Sequence, residues 1–243
     1  MRIKRKSPCF ILAAMVLLLL PTAALAADVD VFAEGAYNAQ YLDVYIYANI
    51  NTGNLCSYGV KLTYDKTRLN TPTATKNVAV WYFGSSSPGN TYMDPVVDSA
   101  ASPATITFIG GKLDTGNPTA GVTGMRVLLG SVRFVRTEGS LGLGPTAETY
   151  FGITASLGRP SPYDNFVTTG GQVRDSGVVY SVTVRQRGDA NGDGYVNVQD
   201  MSMVRSYIVS GGTPYAWMDC NSDTAVNVQD MSCVRSLIIT GHY

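Results

Sequence analysis

One twelve-residue pattern occurs twice near the C-terminus of this 243-residue chain, at an interval of thirty residues. The copies run from Asp189 to Asp200 and from Asp219 to Asp230, and both carry oxygen-bearing side chains at positions 1, 3, 5, 9 and 12. A loop of this length surrounds a hard cation with oxygens from those positions and from the backbone carbonyl of position 7. The repeat therefore predicts two bound Ca²⁺ ions.

The two loops differ at position 6, where the chain must turn sharply. The first loop has Gly194 there, and the second has Thr224, whose β-branched side chain resists positive φ. We therefore expect the first loop to bind Ca²⁺ more tightly. The predicted metal ligands are Asp189, Asn191, Asp193, Tyr195, Asn197 and Asp200 in the first loop and Asp219, Asn221, Asp223, Ala225, Asn227 and Asp230 in the second.

The placement of charged residues supports this prediction. Beyond Asp175 the chain contains six more carboxylates, all at positions 1, 5 or 12 of the two loops. After Arg187 the basic residues are Arg205 and Arg235, so residues 188–243 have a net charge near −4. Without a cation the three carboxylates of each loop repel one another, which disfavours a compact state.

Apolar residues recur with helical spacing after each loop, and the two runs end at Gly211 and Gly241. The segments 196–208 and 226–238 are identical at eleven of thirteen positions. Residues 178–187, which precede the first loop, alternate between apolar and polar instead, which predicts a strand. No helix is therefore expected before the first loop.

The signature from Gly188 through Asp200, followed by a helix, a linker through Pro214 and the second loop and helix, resembles the dockerin domain. The resemblance covers residues 188–243. It implies a small all-α F-hand module with two Ca²⁺ ions that binds a cohesin domain. It also implies the partner-facing residues, which are Val198, Gln199, Arg205 and Ser206 and their repeats Val228, Gln229, Arg235 and Ser236.

The near-symmetry of the two repeats has a further implication within this family. All four pairs of the implied partner-facing residues are identical between the repeats. As in the family, a module of this kind is expected to dock in either of two orientations. The partner is then a cohesin-domain protein in a cellulosome-like extracellular assembly.

The N-terminus has the features of a secretory signal peptide. A basic start precedes an apolar core from Phe10 to Leu20, and Ala24-Leu25-Ala26 fits cleavage after Ala26. The apolar core is too short for a membrane span. We therefore expect residues 1–26 to be removed and the mature protein to be secreted.

Removal of the signal peptide changes the charge and cysteine counts. It leaves 14 basic and 18 acidic residues, which argues against nucleic acid or an anionic membrane as partner. The mature cysteines are Cys56, Cys220 and Cys233, an odd number that excludes complete internal pairing. Cys220 and Cys233 both lie in the second repeat, and the sequence leaves open whether they form a disulfide.

Residues 27–187 show the pattern of a mainly β fold, a jelly-roll-like β-sandwich. Apolar and polar residues alternate from Leu42 to Ile50, before Asn51–Asn54, and again from Tyr58 to Tyr64. Clusters of Gly, Pro, Ser and Asn separate the strand-like runs, as is typical of a sandwich. The other predicted strands are 77–83, 104–109, 126–136, 149–156 and 178–185.

Parts of this domain resemble a cohesin domain. The residues that carry the resemblance are Leu42–Ile46 and Cys56–Asp65 and, further along, Thr105–Phe108 with Leu129–Phe134. Carbohydrate-binding modules with related folds share much of this pattern, so that alternative stays open. Trp81-Tyr82-Phe83 offers either exposed faces for sugar rings or side chains for the core.

The sequence contains no motif for catalysis. The single histidine, His242, lies one residue from the C-terminus, so Ser–His and Cys–His chemistry lack a general base. The carboxylates of the β domain form no paired motif for glycoside hydrolysis. We therefore predict a secreted, non-catalytic interaction protein that docks onto a cohesin partner and is linked to polysaccharide binding or degradation.

Other functions and partners stay open at this point. A working cohesin in the β domain would allow head-to-tail contact with a second copy of the chain. The first alternative function is a carbohydrate-binding subunit whose β-sandwich binds glycan. The second is a small glycoside hydrolase.

Overall fold

The structure is a computed structural model. Among the residues that it describes, no helix is long and apolar enough to cross a membrane. The predicted signal peptide, Tyr82, Phe83 and His242 lie outside the described residues. The described residues are 29–81, 94–112, 121–137, 146–157, 166–168, 171–173 and 179–241.

Strands come first in the chain and two long helices come last, which confirms the predicted mainly β fold with a C-terminal helical part. The strands are β1 (Val29–Tyr37), β2 (Tyr41–Tyr64), β3 (Leu69–Lys76), β4 (Val96–Asp98), β5 (Ala104–Gly111), β6 (Val122–Arg136), β7 (Thr154–Leu157), β8 (Phe166–Thr168), β9 (Gly171–Val173) and β10 (Val179–Gln186). The helices are α1 (Ala147–Phe151), α2 (Val198–Ser210) and α3 (Val228–Thr240), with a 3₁₀ turn at Ala216–Met218.

The long strand β2 belongs to both layers of the β domain. Its first part pairs antiparallel with β1 and β6, and its second part lies between β5 and β7. Strand β1 also pairs in parallel with β10, and β3 pairs with β6. Register shifts between Ile50 and Leu55 mark the passage of β2 from one layer to the other. The ten described strands are thereby connected through hydrogen bonds.

The alternation along β2 places the core between the two layers. Side chains on successive residues of a strand point to opposite faces, so every second residue of β2 faces inward. The apolar set that the sequence predicts is buried, namely Leu42, Val44, Ile46, Ala48 and Ile50 in the first part and Tyr58, Val60, Leu62 and Tyr64 in the second. Leu55 and the charged Asp43 are buried as well.

Trp81 is a core residue, which removes it as a platform for a sugar ring. It is fully buried, and its ring meets that of Tyr58 edge to face with centroids 4.9 Å apart. Its indole N–H donates to the Leu128 carbonyl at 2.9 Å. The strand predicted at 77–83 is wrong over its described part, because the backbone N–H groups of Val80 and Trp81 both donate to the Asn77 carbonyl and close a turn.

Two more strand boundaries differ from the prediction. The Asn51–Asn54 segment does not end a strand, because β2 continues through it with irregular register. The run 149–156 begins as helix α1, whose N-terminus is capped by Thr146 and whose C-terminus is Gly152 with φ 62°. Local capping at both ends outweighs the alternating pattern over so short a segment.

The helical module has two small apolar clusters, and each contains residues of both repeats. One is built around Ala190, Val204 and Met218, and the other around Val196, Cys220 and Val234. The two helices therefore support each other.

Candidate metal centre and partner face

Each of the two loops runs into its helix through the same hydrogen-bonded cap. The Asn197 side chain accepts a hydrogen bond from Gln199 N at 2.7 Å, and Asp200 accepts one from Asn197 N at 2.8 Å. Asn227 and Asp230 repeat this arrangement at the start of α3. Such reciprocal caps stabilise a helix start by about 1 kcal/mol. Positions 9 and 12 therefore fix the start of each helix.

Position 1 of each loop is a buried aspartate that organises the loop backbone. The two carboxylate oxygens of Asp189 accept hydrogen bonds from Gly192 N at 2.9 Å and Gly194 N at 3.0 Å. Asp219 accepts one from Thr224 N at 3.1 Å. Both carboxylates thus face the inside of the turn.

Positions 3 and 5 are joined by a side-chain hydrogen bond in both repeats. The Asn191 amide donates to Asp193 at 3.0 Å, and the Asn221 amide donates to Asp223 at 2.9 Å. The Asp193 carboxylate also accepts from Tyr195 N at 2.9 Å. The polar side chains of the first half of each loop therefore fold back onto the loop itself.

Four of the loop carboxylates are buried, which is costly for charged groups. Asp200 and Asp230 are fully buried, and Asp189 and Asp219 are 1% and 7% exposed. Burial raises the pKa of Asp189 and of Asp219, and the charges of Asp200 and Asp230, respectively, raise these pKa values further. A divalent cation would compensate this excess of buried negative charge.

The donor set of each loop fits Ca²⁺ better than a metal that prefers nitrogen or sulfur. Among the described residues, no group of three or more His, Cys, Asp or Glu side chains is already gathered around one metal position, and this includes the loop aspartates. Neither loop contains a histidine, and the one loop cysteine, Cys220, is in a disulfide. Each loop combines carboxylate oxygens with asparagine oxygens and the carbonyl of Tyr195 or Ala225, the donor types that Ca²⁺ accepts.

The second loop is strained where the first has glycines. Ser222 and Thr224 have φ values of 66° and 74°, and the matching residues Gly192 and Gly194 have 76° and 91°. The positive φ at Thr224 is expected from the sequence pattern, whereas the positive φ at Ser222 is not. A non-glycine residue in this region costs about 1 kcal/mol.

We predict that Thr224→Gly will raise the Ca²⁺ affinity of the second loop about fivefold, because the backbone conformation that the loop needs then carries no side-chain penalty. Isothermal titration calorimetry of the full chain measures the change. Gly194→Thr, the matched change in the first loop, should weaken that site by a similar factor. Equal affinities in the wild type and in Thr224→Gly would contradict the role of the strain.

A disulfide joins Cys220 to Cys233 and leaves Cys56 as a free thiol. The bond connects position 2 of the second loop to helix α3. The first repeat has Ala190 and Met203 at the matching positions. The two repeats, which are nearly identical in sequence, therefore differ in a covalent cross-link.

The predicted partner-facing residues lie on the exposed side of the helical module. Val198 and Val228 are 66% and 64% exposed although both are apolar. Val209 and Ile239, which occupy matching positions in the two helices, are 77% and 71% exposed. Val209 and Ile239 are not among the partner-facing residues predicted from the sequence, although their position off the buried helix face could have identified them. The remaining predicted residues, Gln199, Arg205, Ser206, Gln229, Arg235 and Ser236, are also exposed.

The α3 part of this face contains a shallow depression. Its volume is about 270 Å³ and it is lined by Ser232, Arg235, Ser236, Ile239 and Thr240. Exposed apolar side chains bordered by polar ones are typical of a protein–protein contact.

A comparison with protein families shows what the C-terminal module is similar to. Residues 187–239 match the family model of the dockerin type I domain. Domains of this family generally bind calcium. We refer to the part of the chain from residue 188 onward as the dockerin-like module.

Solved structures similar to the chain are cohesin modules and cohesin–dockerin complexes. The sixth cohesin of Acetivibrio cellulolyticus scaffoldin B, in complex with a dockerin, has a TM-score of 0.40 at 11% identity, over 65% of this chain and 100% of its own. A cohesin of Clostridium acetobutylicum has a TM-score of 0.38 at 11% identity, over 64% and 90%. A type III cohesin of Ruminococcus flavefaciens has 0.39 at 9% identity, over 68% and 92%. No curated protein matches the chain.

The dockerin-like module contacts the β domain through two arginines. The first is Arg126 of β6, whose guanidinium forms a bidentate pair with Glu34 at 2.6 and 2.9 Å and donates to the Pro214 carbonyl at 3.0 Å. Glu34 also accepts from Ala216 N at 3.2 Å. The Arg126 guanidinium lies 4.5 Å from the centre of the Tyr47 ring, which it covers.

The second arginine is Arg187, the residue that follows β10. It is 2% exposed and pairs with Asp43 of β2 at 2.5 Å. It also donates to the backbone carbonyl of Asp219, and its guanidinium lies 3.6 Å from the Asp219 carboxylate. Asp43 is held in turn by Arg133 at 2.6 and 2.9 Å. One buried arginine thus connects the β domain to position 1 of the second loop.

Proposed function

We propose that the dockerin-like module binds Ca²⁺ in both loops and docks onto a cohesin-domain partner. The match of residues 187–239 to the dockerin type I family carries this proposal. The twelve oxygen donors named from the sequence supply the two sites, six in each loop. In this proposal calcium holds the loops closed, and the loops hold the two helix starts in place.

The partner binds the face that starts at Val198 and Val228. Both valines lie in the first turn of their helices, which the Asn–Asp caps of the loops fix in position. A loop that opens would release the cap and move the first helical turn. Docking should therefore depend on calcium.

We further propose that the protein is exported and attached to an extracellular assembly. Residues 1–26 act as a signal peptide, residues 27–187 form the cargo domain, and residues 188–243 attach it to an extracellular assembly. The link to polysaccharide follows from the resemblance of the module to dockerins. In the described part of the chain, the burial of Trp81 removes one aromatic residue that favoured direct glycan binding by the β domain.

A calcium-dependent pulldown tests the docking function. The mature chain is immobilised and exposed to the producer's culture supernatant, and bound proteins are eluted with a chelator and identified by mass spectrometry. We expect a protein with a cohesin domain among the eluted species. The double variant Val198→Asp with Val228→Asp is the matched control, because both changes are on exposed side chains and should leave the fold intact.

The outcomes of the pulldown separate the possible partners. Recovery of further copies of this chain would mean that the β domain acts as the cohesin in a head-to-tail assembly. If the bait binds calcium but retains no protein that contains a cohesin domain, the docking function is wrong.

A further inference from the structure

The contacts between the dockerin-like module and the β domain are distributed unequally over the two repeats. The hydrogen bonds and the ion pair described above reach Pro214, Ala216 and Asp219, which enter or begin the second loop. Among the described residues, helices α2 and α3 contribute none of these hydrogen bonds or ion pairs. The second repeat is therefore attached to the β domain at its loop, whereas the first is attached through the chain that leaves β10.

The buried charges of the two loops are compensated in different ways. In the first loop, Asp189 and Asp200 accept hydrogen bonds from backbone N–H groups, and within the described chain neither forms an ion pair with Lys or Arg. In the second loop, the Arg187 guanidinium lies 3.6 Å from Asp219. A fixed positive charge lowers the repulsion among the second set of carboxylates and also opposes a cation that binds there.

The disulfide adds to this difference. It joins residues separated by 13 positions, Cys220 in the second loop and Cys233 in α3, and so encloses most of the loop. A cross-link over a loop of this length reduces the freedom of the open chain and favours the closed form. The first repeat has no equivalent cross-link, since Ala190 and Met203 stand at these positions.

These observations lead to a division of roles between the two repeats. We propose that the second repeat stays folded on the β domain without calcium, while the folding of the first repeat depends on calcium. The strained Ser222 and Thr224 agree with this division, because a loop that its disulfide and Arg187 already restrain needs less support from a bound metal ion. The inference rests on the proposed calcium sites.

The two apolar clusters couple the folding of the two repeats and so oppose this division of roles. Each cluster contains residues of both repeats, so the loss of one repeat exposes part of the other. The proposal requires the disulfide and the two arginine contacts to hold the second repeat despite this loss.

Amide hydrogen exchange of the full chain tests the proposal. Residues 197–202 and 227–232 have the same sequence, so the matched amides have nearly equal intrinsic exchange rates. In chelator we expect the amides of 227–232 to exchange at least about tenfold more slowly than those of 197–202. With calcium both segments should be protected.

Two sets of variants identify the groups responsible. Cys220→Ala with Cys233→Met gives the second repeat the residues of the first, and Arg187→Gln removes the buried charge. Combined, these substitutions should reduce the difference in amide exchange rate between 197–202 and 227–232 in chelator to less than about threefold. Arg133→Gln is the matched control, because it also removes an arginine from Asp43 but leaves Asp219 untouched.

The result in chelator distinguishes this inference from the proposed function. Equal loss of protection in both segments would overturn the division of roles and leave the calcium sites standing. Greater protection of 197–202 would overturn it as well. No effect of calcium on either segment would overturn both the division and the calcium sites. If the Arg187→Gln variant fails to fold, the disulfide variant and chemical reduction of the wild type still provide the test.

Discussion

Replacing Asp189 and Asp200 together with alanine will remove one Ca²⁺ ion per chain and unfold the first repeat. These are the two buried carboxylates of the first loop, at positions 1 and 12. Asp189 holds the N–H groups of Gly192 and Gly194, and Asp200 holds the cap of α2. Their loss removes two charged ligands and the helix start at once, so the affinity of the site should fall by a factor on the order of 100 or more.

Calorimetry and circular dichroism measure the two parts of this prediction. Titration should show one ion fewer than the wild type, and the far-UV spectrum in calcium should lose the helical signal of α2. Asp30→Ala, which changes an exposed aspartate of β1, is the control and should alter neither quantity. An unchanged ion count together with an unchanged spectrum would contradict the assignment of these ligands.

The sequence predicts the strands and helices whose apolar residues repeat every two to four positions. The alternation of Leu42 through Ile50 identifies the inward face of β2, and the burial of those residues confirms it. The apolar spacing after each loop predicts α2 and α3 together with their ends at Gly211 and Gly241. These features depend on residues a few positions apart, which a single sequence displays.

The parts that the sequence does not predict depend on residues far apart in the chain. Arg126 and Glu34 are separated by 92 positions, and Arg187 and Asp43 by 144. A polar residue in a strand pattern looks the same whether it faces water or a second module. The Cys220–Cys233 pair stayed open for a related reason, because the spacing of two cysteines does not give the direction of their side chains.

A change confined to one helix of the partner face will have little effect on docking, whereas the same change in both helices will abolish it. Arg205→Ala with Ser206→Ala should weaken cohesin binding only about twofold, since one of two equivalent orientations is lost and the other remains. The fourfold variant that also carries Arg235→Ala and Ser236→Ala should weaken it on the order of 100-fold, because no intact face is left. Surface plasmon resonance with the cohesin partner measures both values.

The structure allows this test because the attachment of the module to the β domain leaves both faces free. Arg205, Ser206, Arg235 and Ser236 are all exposed, and the contacts of Arg126 and Arg187 lie elsewhere, at residues 214 to 219. The reciprocal double variant, Arg235→Ala with Ser236→Ala, is the matched control and should resemble the first. If either double variant alone abolishes binding, the partner uses one orientation only. The attachment of the second repeat to the β domain would then be the first explanation to test.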